Sequence, residues 1–166
     1  MAEPNDAEKN HKLIIDVISD NISETAYKDQ QTTIFQINDE VEVASQVEGY
    51  IGSYYQATIV HPVGAYHYKV KYKTLVNNNE TAPLEELASV YEVRPIPPDI
   101  PHEMKIYEIV DVYDNEGWWF GVITRKVEQK YYVYFPTTAD TVAYSIDKLR
   151  VHQEWSDGNW IVPLLG

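Results

Sequence analysis

Four short strings of this chain occur twice in the same order, and that duplication limits its architecture more than any other feature. Val41-Glu42-Val43 matches Val110-Asp111-Val112, and Tyr54-Tyr55-Gln56-Ala57-Thr58-Ile59 matches Trp118-Trp119-Phe120-Gly121-Val122-Ile123. Val70-Lys71-Tyr72 matches Val133-Tyr134-Phe135, and Val93-Arg94 matches Leu149-Arg150. The offset falls from 69 to 64 to 63 to 56, so the second copy has the shorter loops. Residues within the strings alternate with the period of a strand. Each copy holds four or five short strands in about 60 residues, which suits a small, strongly bent antiparallel barrel.

Turn chemistry punctuates both copies. In the first, Glu48-Gly49-Tyr50-Ile51-Gly52, His61-Pro62-Val63-Gly64-Ala65 and Asn77-Asn78-Asn79 separate strand-like runs beginning at Phe35, with Pro83-Leu84-Glu85-Glu86-Leu87 leading to a short strand at Tyr91-Glu92-Val93. Arg94-Pro95-Ile96-Pro97-Pro98 is expected to stop regular structure, because proline lacks the donor a ladder needs, and to act as a stiff link. In the second copy Asp114-Asn115-Glu116-Gly117 turns between Val110-Asp111-Val112 and Trp118-Trp119-Phe120, gathering aromatics on both sides of a tight turn ringed by carboxylates. Two adjacent Trp beside an acidic turn fit a pocket for something cationic better than they fit a core. Ahead of the repeats, Leu13, Ile14, Val17, Ile18, Ile22 and Ala26 recur at helical spacing, while Leu13-Ile14-Ile15 also suits a strand. The expected layout is an N-terminal arm at 1–32, helical at 11–27 or disordered, a first barrel at 33–94, a proline-rich link at 95–103 and a second barrel at 104–163.

Composition narrows the function. The formal charge is −13, against a basic domain for duplex binding, so direct DNA contact is not expected and basic peptides are the favoured partners. The 14 Tyr, 4 Trp and 3 Phe exceed what a core of this size calls for. No Cys is present, which removes disulfides and Cys-based zinc sites. No apolar run approaches the roughly 18 residues of a membrane span, and the chain reads as soluble. His11, His61, His67, His102 and His152 are scattered without metal-ligand spacing, and no phosphate loop or nucleophile motif occurs. No cofactor, metal or catalytic residue is expected.

Glu40-Val41-Glu42-Val43, Gly49-Tyr50-Ile51-Gly52-Ser53-Tyr54-Tyr55, Arg94-Pro95-Ile96-Pro97-Pro98 and Gly117-Trp118-Trp119-Phe120-Gly121 resemble a plant tandem Agenet module. The closing Leu149-Arg150-Val151-His152-Gln153-Glu154-Trp155 and Gly158-Asn159-Trp160 resemble the end of a second Agenet repeat. The resemblance covers about residues 33–163. It implies an all-β fold of two small Tudor-like five-stranded antiparallel barrels of the Royal group, and a nuclear chromatin reader. Such a reader holds a methylated lysine of a histone tail, H3 foremost and in its silencing mark, in an aromatic cage.

Carried over by position, the resemblance offers Tyr50, Tyr54 or Tyr55, and Tyr72 in the first barrel, with Glu48 nearby. In the second it offers Tyr113, Trp118 or Trp119, and Phe135, with Asp114 and Glu116 nearby. Ser45 and Leu75 stand where many Tudor domains place cage aromatics. Of each adjacent pair, Tyr54/Tyr55 and Trp118/Trp119, one ring is expected to fill the barrel and the other to stay free. Tyr91, Tyr131, Tyr132 and Tyr134 read as packing or sheet surface, and Trp155 and Trp160 as seam or barrel closure. Asp111, Asp114 and Glu116 are the acids expected to meet Arg or Lys of a tail, whereas Asp39-Glu40 and Glu85-Glu86 read as a solvated face. Two other readings stay open: a scaffold that binds an unmodified basic segment at an inter-barrel seam, and an RNA-associated adaptor, against which the charge argues.

Overall fold

A computed structural model describes residues 34–163; the helix expected at 11–27 lies outside them. Among the described residues, twelve strands and one 3-10 turn follow one another. The first half contains β1 (Glu40–Ala44), β2 (Ser53–Val63), β3 (His67–Val76), β4 (Pro83–Ser89) and β5 (Val93–Pro95). The second contains β6 (Ile109–Asp114), β7 (Gly117–Val127), β8 (Lys130–Phe135), β9 (Asp140–Ser145), the 3-10 turn Ile146–Lys148 and β10 (Leu149–Val151). A two-stranded ribbon, β11 (Glu154–Ser156) and β12 (Asn159–Ile161), closes the described chain.

Strand register reproduces the sequence repeat position by position. Val41 faces Ala57 and Val43 faces Tyr55 in the first half; Val110 faces Gly121 and Val112 faces Trp119 in the second. Ile59 opposes Val70 as Ile123 opposes Val133, and both long strands slip register immediately afterwards, at Ile59/His61 and Ile123/Arg125. The bulge bends each long strand, letting it serve two neighbours of a curled sheet. Each half buries its own apolar cluster: Val41, Val43, Tyr55, Ala57, Ile59, Tyr68, Val70 and Tyr72 in the first, and Val110, Val112, Ile123, Tyr131, Val133 and Phe135 in the second. A fully buried Val or Ile at such a position contributes roughly 1.5–3 kcal/mol. The ladders leave each half open between its fourth and fifth strands, since β4 pairs only with β3 and β9 only with β8.

Three local expectations change. Pro83–Ser89 is itself a strand, paired along β3, rather than a lead-in to one. Arg94 and Pro95 do not end regular structure: they lie in β5, with Pro95 opposite Val41, and an edge strand tolerates proline because its outer side needs no donor. Asp140–Ser145, unassigned in the sequence, forms β9 along β8.

The halves are also not beads on a stiff link. β2 and β7 pair antiparallel at Ser53↔Trp119 and Tyr54↔Trp118, and the Phe120 amide donates to the Gly52 carbonyl at 3.2 Å, so one sheet runs through both. Behind that pairing lies a buried ionic seam built from the repeated strings. Glu42 opposes Arg94 across β1–β5, and Asp111 opposes Arg150 across β6–β10. The Glu42 carboxylate accepts from Arg94 at 2.8 Å and from Arg150 at 2.7 Å, and Asp111 accepts from Arg150 at 3.0 Å and pairs with His152 Nδ1 at 2.6 Å. Arg94 also donates to the Gln153 carbonyl at 2.8 Å, and the Gln153 amide donates to the Pro98 carbonyl at 2.9 Å. Two acids and two guanidiniums cancel in charge, and removing one partner from such a network typically costs about 3–5 kcal/mol.

Candidate functional site

The seam decides which rings remain for a ligand. Tyr54 and Trp118, which pair across it, each have a guanidinium on the ring: Arg94 Cζ lies 3.4 Å from the Tyr54 centroid, and Arg150 Cζ lies 4.0 Å from the Trp118 centroid. Trp160 stands 5.1 Å from the same Arg94, and Tyr113 packs edge-on against Trp118 at 5.1 Å. These rings already stabilise in-chain cations, so they are seam elements rather than a vacant cage. Asp111 is corrected with them. It is 0 % exposed and engaged by Arg150 and His152, so it cannot meet an incoming tail.

The first barrel's other candidates are sealed. Tyr55 is 7 % exposed and Tyr72 4 %, packed perpendicular at 6.5 Å. Burial, reinforced by the hydrogen bond that the Tyr72 hydroxyl donates to Glu86, pushes that phenol far above the usual tyrosine range. The second barrel's turn caps them: a Cβ at Gly117 would come within 2.6 Å of the Tyr55 ring, and the Thr74 hydroxyl donates to the Glu116 carbonyl at 2.6 Å. Only a residue without a side chain allows that approach. A cage built on Tyr54, Tyr55 and Tyr72 is therefore not what this barrel presents; Tyr50 and Glu48 remain exposed on its first loop.

In the second barrel, the rings corresponding to Tyr55 and Tyr72 are Trp119 and Phe135. Trp119 is only half-buried, and its indole N–H donates to the Asp114 carbonyl at 2.7 Å. Phe135, another expected cage ring, is corrected: it is 8 % exposed, part of the core like Tyr72, and packs edge-on to Tyr144 at 6.0 Å. Tyr144 in turn donates its hydroxyl to the Asp114 carboxylate at 2.7 Å. Burial and that bond raise the Tyr144 phenol, so it keeps donating at any physiological pH. Asp114 thus fixes two rings at once, while its exposed carboxylate retains lone pairs for a further donor. Tyr50 reaches over from the first barrel to within 5.5 Å of Trp119. Glu116 lies exposed on the same turn.

Trp119, Phe135 and Asp114 are thus brought together, joined by Tyr50 from the other copy. Tyr144 was missed because β9 was unassigned, although Thr141, Val142 and Tyr144 are all good strand formers. The seam arginines were missed as well, although a recurring Arg94/Arg150 matched a recurring Glu42/Asp111.

The Agenet domain family model matches residues 38–98. The Arabidopsis thaliana protein AGENET DOMAIN (AGD)-CONTAINING P1 is 32 % identical over 128 residues, 76 % of this chain and 25 % of that protein. DUF724 domain-containing protein 6 from the same plant is 33 % identical over 131 residues, 75 % of this chain and 19 % of that protein. The chain therefore spans a quarter or less of these curated relatives. The crystal structure of Arabidopsis thaliana AGDP1 AGD34 is similar with a TM-score of 0.78 at 28 % identity, covering 81 % of this chain and 95 % of that one. The crystal structure of ADCP1 tandem Agenet domain 3-4 gives a TM-score of 0.75 at 28 % identity, covering 85 % of this chain and 96 % of that one. Duplicated register, shared seam and likeness along the length of both tandem structures converge: the chain belongs to the Agenet family, as a tandem of two Tudor-like barrels.

Proposed function

We propose that this tandem reads a methylated lysine in a basic peptide, a histone H3 tail first among them, and that the lysine enters the second barrel. Tandem Agenet modules generally serve chromatin reading and peptide binding rather than catalysis. The observation that carries the finer reading is Asp114, one residue that orients Trp119 and Tyr144 and still offers its own charge. A methylated ammonium keeps its charge but loses donors and bound water, so ring faces attract it better than they attract bare lysine. Each exposed ring contributes roughly 0.5–1 kcal/mol, and about 2 or more when water is excluded. A mono- or dimethylated lysine keeps an N–H that the Asp114 carboxylate can accept, favouring the lower methylation states.

The exposed acids Glu48, Asp114 and Glu116 around the rings, within a total charge of −13, suit the Arg and Lys of such a tail. The competing scaffold reading, with an unmodified segment held at the seam, lacks free acids there, because Glu42 and Asp111 are consumed by Arg94, Arg150 and His152. A reader of histone tails works in the nucleus, which imaging of the tagged chain would check. Calorimetry against matched methylated and unmodified H3 peptides tests the binding. The expected result is at least several-fold tighter binding of a methylated form, abolished by Trp119→Ala or Tyr144→Ala. Equal affinity for both peptides would remove the reading.

A further inference from the structure

The two copies differ in length at the turn beside this pocket. Between the matched positions Ala44/Tyr113 and Ser53/Gly117, the second copy spends only Asp114, Asn115 and Glu116, whereas the first spends residues 45–52. These five extra residues account for the fall in repeat offset from 69 to 64. The insertion is apolar at its surface: Val47 is 64 % exposed, Tyr50 48 % and Ile51 60 %. Three large apolar side chains within five residues, held in water, call for an explanation beyond the barrel's own stability.

The insertion is also firmly shaped. The Tyr50 amide donates to the Val47 carbonyl at 2.9 Å and the Ser53 amide to the Tyr50 carbonyl at 3.1 Å. Gly49 and Gly52 occupy the third positions of these two consecutive turns with φ +85 and +89, as a type II turn requires. The Ser53 hydroxyl donates to the Tyr50 carbonyl as well, and the Gly52 carbonyl is held by Phe120. The apolar side chains are thus presented at fixed positions, and rigidity before binding lowers the entropic cost of recognition. The loop is continuous with the pocket through the 5.5 Å contact between Tyr50 and Trp119, and Glu48 sits within it.

We infer that residues 45–52 form an apolar lip that recognises a bulky apolar side chain of the same peptide, within about four residues of the lysine held at Trp119. This rests on the lysine reading above and adds to it: the target would be a basic segment interrupted by an aliphatic residue. Val47 and Ile51 clasp that residue, Glu48 and Glu116 meet its basic neighbours, and Tyr50 links the two subsites. The lip therefore supplies sequence specificity that a methylammonium pocket alone does not possess.

Calorimetry on the full chain, with a dimethyl-lysine peptide of Arg, Ser and Gly in which one Leu is walked from four residues before the lysine to four after, tests the inference. One position should bind roughly tenfold tighter than its Ser counterpart, the scale of discrimination an apolar pocket achieves. The double variant Val47→Ser/Ile51→Ser, altered only at exposed positions, should lose that gain while keeping its preference for the methylated peptide. No favoured position, or a gain that persists in the double variant, overturns the lip. So does a concentration-dependent dimer of the unaltered chain that the double variant abolishes, because the patch would then serve a second copy. Equal binding of methylated and unmodified peptides would sink the lysine reading alone, since the Leu-to-Ser ratio still reports on the lip; no binding by any peptide overturns both.

Discussion

In the first barrel, Tyr55 and Tyr72 are both core; in the second, Phe135 is core like Tyr72, but Trp119, at the register position of Tyr55, is only half-buried. Two substitutions and one contact separate them. The first barrel has Ser45 where the second has Asp114, and Ala88 opposite Tyr68 where the second has Tyr144 opposite Tyr131. The acid and the third ring are therefore present in one copy only. The contact is the turn Asp114–Gly117 itself, whose Gly117 backbone lies on Tyr55 and whose Glu116 carbonyl holds Thr74. One copy's turn covers Tyr55 of the other while orienting its own Trp119. A duplicated fold can thus divide its labour: the same strand position is covered by the neighbouring copy on one side and left half-exposed on the other.

Exchanging damage between the corresponding rings is the strongest way to break this comparison. Tyr55→Ala should cost about 3–5 kcal/mol in urea unfolding, as removal of a buried aromatic does, yet leave the ratio of methylated to unmodified peptide affinity unchanged. Trp119→Ala should cost less stability and collapse that ratio to one. Preference lost in Tyr55→Ala while the variant remains folded would relocate the pocket to the first barrel.

A milder test lies at the next inward-facing register position. Ala57 fits between β1 and β3 in the first barrel, but its counterpart Gly121 has no such room, because a Cβ there would fall 2.4 Å from Val133 Cγ1 and 3.1 Å from the Tyr134 carbonyl. Gly121→Ala should destabilise by about 1–3 kcal/mol through overpacking. Ala57→Gly should cost only about 0.5–1 kcal/mol, the entropy of a strand glycine. Comparable losses in a denaturant titration would mean that the two barrels are packed alike, contrary to the geometry.

Much of this architecture was legible because strand register is a property of short alternating strings. Val41-Glu42-Val43 and Val110-Asp111-Val112 had to pair with the longer aromatic strands to bury their valines, and the bulge follows in both. The fate of each ring was not legible. Tyr54 and Tyr55 are chemically the same; one meets Arg94 and the other the interior because of how two sheet edges meet, which is non-local. Asp111 read as a free acid for the same reason: its partners Arg150 and His152 lie 39 and 41 residues away. Pro95 looked like a breaker because sequence alone does not reveal that β5 is an edge.

Asp114→Asn sharpens the difference at the pocket itself. The amide keeps the size and an acceptor for Tyr144 but loses the charge. Affinity for mono- and dimethyl-lysine peptides should fall roughly three- to tenfold, the gap between a charge-assisted and a neutral hydrogen bond, with a smaller loss for trimethyl-lysine, which has no N–H to give. A uniform loss across all three states would assign Asp114 only to orienting the rings. The mirror change in the first barrel, Ser45→Asp, should gain nothing, because Tyr55 there stays covered by Gly117.

The smallest effect separates the halves by pH. His152 follows β10, and its counterpart after β5 is Ile96, so only the second copy carries a titrating group at this edge of the seam. Burial favours the neutral imidazole, but the hydrogen bond and charge of Asp111, and then Glu154, outweigh it and raise the pKa above 6.5. Arg150 also bonds Asp111, so the imidazolium shares that carboxylate with a guanidinium, which limits what its charge adds. A raised value means that the folded chain holds the proton more tightly than the unfolded one. The resulting stabilisation is complete below pH 6.5 and is lost as pH climbs through the folded value. Urea midpoints should therefore fall between about pH 6 and pH 8, and His152→Gln should flatten that fall without touching methyl-lysine preference. A slope unchanged in His152→Gln would place the pH response outside the seam, and leave the seam equally indifferent to protons on both sides.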